Sequence, residues 1–415
     1  MKGGIGVSKE NHTLGFNHYL FLWFGAAVSI AEILTGGLLA PLGFQSGVAA
    51  IVLGHIVGTA ILVLGGMIGT QERIPALVST RISFGQYGSY LFSVLNVLQL
   101  VGWTAVMIIA AARSANEISK LLWNIDQMSL WSIGIGGLVL LWIVLGRDTG
   151  LKKVNMLAVL LLMGITMLLS TVVFKDSTLL TVVPDGEMSF GQAVELSVIM
   201  PLSWLPLIAD YTRFAKSKQS AAWGSGIGYF VGSCWMYIIG LGAAIVAGNP
   251  DPSAMMLAAN LGLSALGIVI LATVTTTFLD AYSAGVSFTN IFPRLKEKQI
   301  AVVMTIIGTI AALWFDIEQY ENFLLAIGSV FAPLFAVLLT EYFIVKNRSL
   351  ENRLLVNWGA LAVWAAGVAL YYQFIKLDLV LGATVPVMLI TGLLYRIIWG
   401  YTQSWKSCKK YPLAS

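Results

Sequence analysis

The chain has 415 residues, 58% hydrophobic and 11% charged, with a formal net charge of +4 and a mean hydropathy of +0.84. Soluble domains carry about 45–50% apolar and about 25% charged residues, so a water-soluble enzyme, a nucleic-acid binder and a disordered chain are excluded. A helix needs about 20 apolar residues to cross a bilayer, and this length then allows about ten to fourteen spans with no room for a separate soluble domain.

Residues 1–17 are polar and lack the basic start, short apolar core and small-residue cleavage site of a signal peptide. Hydropathy predicts twelve spans, at 18–40, 46–70, 89–112, 128–146, 154–174, 189–209, 221–248, 264–290, 299–315, 322–345, 355–374 and 379–400, with 252–262 as a short surface helix. An even number puts both termini on one side. With that side cytoplasmic, all of the 24 lysines and arginines fall inside except Arg113, Lys120, Lys175 and Lys376. This is the bias of the positive-inside rule, and it places an all-α protein in the inner (plasma) membrane with the bilayer as its solvent. Cys234 lies in an apolar run and Cys408 in the basic tail, so no disulfide is expected, and no Cys/His cluster suggests a resident metal or other cofactor.

Two spans read as interrupted. The first carries Ser29, Glu32 and Thr35-Gly36-Gly37; the sixth carries Pro201, Ser203, Trp204 and Pro206. Interior proline removes a backbone hydrogen bond, and transporters build ion and substrate sites where helices break at mid-depth. The two breaks lie five spans apart in oppositely oriented segments, which predicts a five-plus-five inverted repeat. The regions are then a cytoplasmic N-terminus at 1–17, a first repeat at 18–174, a second at 189–345, two additional spans at 355–400 and a cytoplasmic tail at 401–415. Ordinary packing glycines and prolines would give a similar pattern.

Ionisable groups at mid-membrane are functional candidates by default. Glu32 and Asp280 sit deep in spans one and eight, and Glu195 lies nearer the outer end of span six, where a water-filled vestibule would account for it. His55 reads as a neutral imidazole bonded to a neighbouring helix. Asn96 and Gln99 could bond across helices, and Gln99 lies about one turn before Trp103 and could reach a ligand there. Trp103 and Trp204 fall at mid-span, where they suit stacking on a flat ligand or plain packing. Span eight holds Thr273, Thr275, Thr276 and Thr277 before Asp280; such hydroxyls suit a hard cation such as sodium, or bond back to their own helix. A membrane-embedded enzyme would need a catalytic constellation that three histidines scarcely allow, and a channel would need a continuous polar pore.

Several motifs run in order along nearly the whole chain: Arg81-Ile82-Ser83-Phe84-Gly85, Val101-Gly102-Trp103, Asp210-Tyr211-Thr212-Arg213-Phe214, Ser287-Phe288-Thr289-Asn290, Ile307-Gly308-Thr309, Glu341-Tyr342 and Val356-Asn357-Trp358. Together they resemble the nucleobase–cation symporter family in its cytosine permease branch. The resemblance implies twelve helices, a LeuT-like five-plus-five inverted repeat with two extra C-terminal helices, and sodium-driven alternating access for a planar heterocycle that stacks on Trp103. It implies sodium between the unwound part of helix one, at Ser29, Glu32 and Ile33, and the hydroxyls of Thr275 and Thr276, with Thr277 entering if the alignment slips by one.

Three departures from the family pattern bear on the substrate. Pro201 stands where an aromatic is usual, with Trp204 three residues on. Thr277, Phe278 and Leu279 stand where relatives carry asparagines, and Glu32 where they carry a small residue. These departures look like the branch assigned to hydroxymethylpyrimidine, a thiamine precursor. The reading is a permease for that pyrimidine, with Trp103, Gln99, Glu32, Ser203, Trp204 and Asp280 around the substrate; cytosine or another nucleobase is the alternative, with a proton as the alternative coupling ion.

Overall fold

The computed structural model describes residues 14–145, 149–181, 186–292, 294–350 and 355–410. Lys2, Lys9, His12, Arg147, Asp185 and Arg353 lie outside the described residues, as do the side chains of Lys152 and Cys408. Among the described residues sixteen α-helices follow in order: α1 Phe16–Ala27, α2 Ile30–Leu38, α3 Phe44–Glu72, α4 Ala76–Ser79, α5 Arg81–Trp123, α6 Met128–Leu145, α7 Thr149–Val173, α8 Phe190–Ser203, α9 Leu205–Thr212, α10 Lys218–Ala247, α11 Pro252–Ala258, α12 Gly262–Thr289, α13 Glu297–Ala312, α14 Tyr320–Leu339, α15 Trp358–Phe374 and α16 Thr384–Lys410. No strand forms among the described residues beyond one isolated bridge between Leu14 and Ala215.

Local chemistry sets many of the ends. Ser29, Ser217, Asp251 and Asn357 each cap the helix that follows by accepting a backbone N–H, and Ser189 with Gln192 forms a reciprocal capping box at α8. Helix α3 stops at Arg73, which turns left-handed (φ 60°) just before Ile74-Pro75.

Eight of the segments are long and apolar enough to cross a membrane, and the bent pair α1–α2 makes nine. Three shorter helices fall where spans nine, eleven and twelve were expected: α13 with 16 residues, α15 with 17, and the apolar 384–398 part of α16. The last helix continues past residue 400, into the segment read as tail.

The helix pairings carry the internal symmetry. Span one (α1) packs on span seven (α10), and span six (α8) on span two (α3). Exchanging the halves turns one pairing into the other. Span three (α5) packs on span eight (α12) and span four (α6) on span nine (α13), and each of these maps onto itself. This is the five-plus-five inverted arrangement, with α15 and α16 appended against α14.

The two halves are not equally broken. Span one bends by 58° at Val28–Ser29, one turn before Glu32. The pair Gly36-Gly37, expected at the break, is instead helical and marks close packing. A Cβ on Gly36 would stand 2.2 Å from the Tyr237 carbonyl oxygen, and one on Gly240 2.2 Å from that of Ile33. Span six remains one span over Phe190–Thr212, interrupted only at Trp204. Pro201 and Pro206 withhold two backbone donors there.

Three further expectations are corrected. The segment after span seven is a short helix and not a span, but its inner face is packed in: Pro252, Ser253, Met255 and Met256 of α11 are buried. Its cap Asp251 pairs with Arg113 at 2.6 Å, and Ser253 bonds Ser114 at 3.0 Å, so α11 is fastened over the end of α5. Glu195 does not face a watery vestibule. It is 2% exposed and accepts hydrogen bonds from Tyr371 Oη (2.6 Å), Thr384 Oγ1 (2.7 Å) and Thr384 N (2.8 Å). The two additional C-terminal helices supply its partners, which no reading of span six alone could foresee. Finally, span three starts earlier than expected. Residues 81–88, taken as loop, join α5, and Gly85 (φ 78°) breaks the helix as only glycine does without strain.

Several of the motifs gather at the opposite end from α11, while Val101-Gly102-Trp103 and Ile307-Gly308-Thr309 lie at mid-span. Arg81 donates to Asn290 Oδ1 at 2.5 Å, Asp210 accepts from Ala76 N at 2.9 Å, and Asn357 donates to the carbonyls of Phe84 (2.9 Å) and Ser83 (2.8 Å). Thr212 bonds the carbonyl of Gly66 at 2.8 Å. These contacts tie the loops of both halves into one base and leave the centre of the bundle to other residues.

Candidate functional site

A small cleft lies between the bend of span one, α5, the interruption of span six and α12. Its walls include Ser29, Glu32, Gln99, Trp103, Ser203, Trp204, Thr276 and Asp280, with Met107, Met200, Leu207 and Leu279 as apolar lining. All six residues expected around a substrate are thus together. Of those expected around a cation, Ser29, Glu32 and Thr276 line the cleft. Ile33 and Thr275 are buried behind it, and the Ile33 carbonyl lies against Gly240.

Trp103 is edge-on to Phe323 (centroids 5.4 Å apart) and to Tyr320 (6.0 Å). Such T-shaped contacts fix the ring orientation. Trp204 stands edge-on to Trp23 at 5.6 Å.

The polar groups divide into satisfied and unsatisfied. Gln99 donates from Nε2 to the Ser203 carbonyl at 2.8 Å, which bridges α5 to the interruption of span six, and its Oε1 is buried without a partner. Asn96 likewise bonds across, to Ser287 Oγ at 2.7 Å. Asp280 is half-buried in the cleft wall and forms no hydrogen bond or ion pair among the described residues. Ser203 is turned to its own helix, donating to the Met200 carbonyl at 2.7 Å. The span-eight hydroxyls also bond back: Thr275 and Thr276 donate to the Ala272 carbonyl at 3.0 and 2.8 Å, and Thr277 to that of Thr273 at 2.7 Å. A hydroxyl whose hydrogen is committed in this way still turns oxygen lone pairs outward. At the bend, the C-terminal end of α1 carries partial negative charge, and Ser29 Oγ caps α2 by accepting from Ala31 N at 3.3 Å. Hard oxygen ligands and a helix C-terminus are the elements from which a small cation site is made.

Glu32 differs from Asp280. Both its oxygens are engaged, Oε1 by Tyr229 Oη at 2.9 Å and Oε2 by Ser233 Oγ at 2.6 Å. These two α10 residues were not anticipated. Their spacing of four in an otherwise apolar span puts them on one helical face, which was the available signal. His55 bonds across to α10, through Nε2 to Ser233 Oγ at 2.6 Å.

A bundle with a bent span, an interrupted span and a central cleft between inverted halves is a secondary transporter of the LeuT-like fold. The solved structure of Mhp1 in an inward-facing conformation superposes with a TM-score of 0.81, at 19% identity over 94% of this chain and 92% of that one. Mhp1 in a closed conformation with bromovinylhydantoin bound gives 0.78, at 19% identity over 99% of this chain and 97% of that one. The chain belongs to the family described as permease for cytosine/purines, uracil, thiamine, allantoin, which matches residues 6–397. It is 27% identical to the cytosine permease of Escherichia coli (strain K12) over 394 residues, 91% of each chain. It is 23% identical to the hydantoin permease of Microbacterium maritypicum over 434 residues, 95% of this chain and 86% of that one. These relatives are permeases, and the chain is a transporter rather than an enzyme.

Proposed function

We propose that this permease imports a flat aminopyrimidine, hydroxymethylpyrimidine first and cytosine as the alternative, by sodium-coupled alternating access across the plasma membrane with both termini cytoplasmic. One observation carries the substrate reading: the cleft brings an unpartnered Asp280 carboxylate and an orphaned Gln99 Oε1 together with Trp103. Two acceptors without donors match a ligand rich in N–H, and the indole face matches a planar ring. An exocyclic amine and a ring N–H, or a ring nitrogen facing a protonated carboxyl, complete these bonds. Glu32 is a weaker candidate for that edge, because Tyr229 and Ser233 already occupy its oxygens. The relatives fit the size of such a ring, one being named for cytosine and one for hydantoin.

Sodium is assigned to the bend at Ser29, between the carbonyl end of α1 and the Thr275–Thr276 hydroxyls, on the chemistry of the oxygen donors and the family resemblance. Uptake of labelled hydroxymethylpyrimidine and cytosine into proteoliposomes, with sodium and then with choline outside, tests both assignments. The expected result is uptake of one or both that needs sodium and falls at least about tenfold in D280N, the loss of one hydrogen bond to a charged group. Full uptake in choline overturns the sodium assignment, and unchanged affinity in D280N overturns the role of Asp280.

A further inference from the structure

Spans two and seven meet along the outside of the bundle, and each turns an apolar stripe away from it. On α3 the stripe holds Ile56, Val63 and Met67; on α10 it holds Trp223, Ile227 and Phe230. Both stripes follow the spacing of one helical face. Other faces of the same helices are spent on packing: a Cβ on Gly228 would stand 2.3 Å from the Leu20 carbonyl oxygen of α1, and one on Gly58 2.7 Å from the Val198 carbonyl oxygen of α8. Between the stripes lie small residues, Ala60 and Gly226, so the surface there is a groove. It runs from Met67 to Ile56, a rise of about 16 Å along α3. One leaflet of a hydrocarbon core about 30 Å thick has about that depth.

At one end the groove meets a pocket of different chemistry, and Lys218 lines both. Arg73, Lys216, Lys218 and Arg348 stand around this pocket, with Glu72 as the one carboxylate among its lining residues. None of the four cations forms an ion pair among the described residues. Glu72 is held by Tyr342 Oη rather than by a cation. Arg73 Nη1 donates to the carbonyls of Arg213 (2.8 Å) and Ala215 (2.7 Å), and the Arg348 guanidinium lies 4.7 Å from the ring centre of Tyr342. Two of the four cations are thus fixed in place with their charge uncompensated, and Lys216 and Lys218 are exposed beside them. Trp223, 65% exposed, follows Lys218 by about 7–8 Å along α10, at the depth where tryptophans meet lipid headgroups.

We infer that the groove between α3 and α10 and the basic pocket at its end form the binding site of one anionic phospholipid, its phosphate among the four cations and an acyl chain along the groove. Charge without a groove would suit any anion, and a groove without charge any chain. A phosphate joined to a chain one leaflet long fits both. A zwitterionic headgroup carries its own ammonium beside the phosphate and gains less from an uncompensated basic cluster, so the site selects for net negative charge.

Arg73, Lys216 and Lys218 flank spans two and seven, on which the broken spans six and one are packed, and Arg348 follows span ten. A shared headgroup ties these segments together, so bound lipid stabilises their arrangement. The site does not depend on what is transported; only its placement in the cytoplasmic leaflet rests on the orientation proposed above.

The test uses the full chain, purified and stripped of lipid in detergent, with dioleoylphosphatidylglycerol or dioleoylphosphatidylcholine added to the micelles. Native mass spectrometry counts the lipids retained, and intrinsic fluorescence during heating gives the apparent Tm. The expected result is one phosphatidylglycerol held at least about tenfold more tightly than phosphatidylcholine, with a rise in Tm that phosphatidylcholine does not give. K216Q/K218Q should weaken retention at least about tenfold, whereas K153Q, an exposed lysine of α7 that lines neither pocket nor groove, should leave it unchanged. Ala60→Trp fills the floor of the groove and should weaken retention with the cluster intact.

Equal retention of the two lipids overturns the proposal, as does unchanged retention in K216Q/K218Q or in Ala60→Trp, or a loss in K153Q as large as in the double variant. An equal Tm rise with inorganic phosphate alone makes the cluster a free-anion site and overturns the lipid assignment. A dimer of the lipid-free protein that separates in Ala60→Trp gives the groove to a second copy and overturns it too.

Discussion

The close backbone approach beside the site gives a prediction with a calculable size. Gly240 of α10 lies against the backbone of α2, one residue beyond Glu32. A Cβ there would stand 2.2 Å from the Ile33 carbonyl oxygen and 2.9 Å from its carbon, where ordinary contact starts at 3.4 Å. Neither neighbour is a flexible side-chain tip, so Gly240→Ala requires α2 and α10 to part by about 1 Å. The same two helices hold the Tyr229–Glu32 and Ser233–Glu32 bonds at 2.9 and 2.6 Å, and parting stretches both toward the limit of a hydrogen bond. Overpacking of this kind costs about 1–3 kcal/mol, against a helix-propensity gain of about 1 kcal/mol for Gly to Ala.

The expected outcome for Gly240→Ala is an apparent Tm lower by about 2–4 °C in detergent, with uptake reduced several-fold. The matched control is Gly267→Ala in α12, where nothing lies within 4 Å of the place its methyl group would take; this variant should keep or raise Tm at full uptake. Intrinsic fluorescence during heating and a proteoliposome uptake assay measure both variants. If Gly240→Ala matches the wild type in Tm and in uptake, the close approach and the reasoning built on it are wrong.

Three other outcomes follow from the contacts described. Glu195→Ala removes the acceptor of three hydrogen bonds from α15 and α16 and leaves buried donors behind, so it should destabilise by about 3 kcal/mol or more; limited proteolysis should then release the C-terminal pair first, while Glu195→Gln recovers part of the loss. Asp251→Ala removes both the cap of α11 and the partner of the half-exposed Arg113, whereas Arg113→Ala removes only the surface ion pair, worth at most about 1 kcal/mol; thermal unfolding should show the aspartate variant as clearly the less stable of the two. Trp103→Ala should weaken pyrimidine binding by about 1–3 kcal/mol, the worth of one base–aromatic stack, and Trp103→Phe by much less. Equilibrium binding of labelled hydroxymethylpyrimidine and cytosine distinguishes the two.

The sequence by itself determined the solvent and the fold class, because those follow from sums over many residues. A long apolar run must become a helix in lipid whatever its neighbours are, since no other local structure satisfies its backbone there. The departures Glu32 and Asp280 were visible for the same reason: a carboxylate in such a run has no neutral explanation. Trp103, Gln99, Ser203 and Trp204 were also legible as a group, through spacing and family motifs, and they do share one cleft.

What only the tertiary structure decided was which polar group meets which. Glu195 and Glu32 look alike in sequence, each a lone acid in an apolar span. Tyr371 and Thr384, at a sequence separation of 176 and 189 residues, make the first a clamp. Tyr229 and Ser233 hold the second, and Ser233 ties it to His55. The glycines were as ambiguous: Gly36-Gly37 read as a break and proved to be a packing surface, Gly36 against Tyr237 of α10 and Gly37 against Pro250 and Met255, while the bend fell at Val28–Ser29. Partner choice depends on close three-dimensional approach, which is set by the summed packing of sixteen helices and leaves no local signature in the residues that meet.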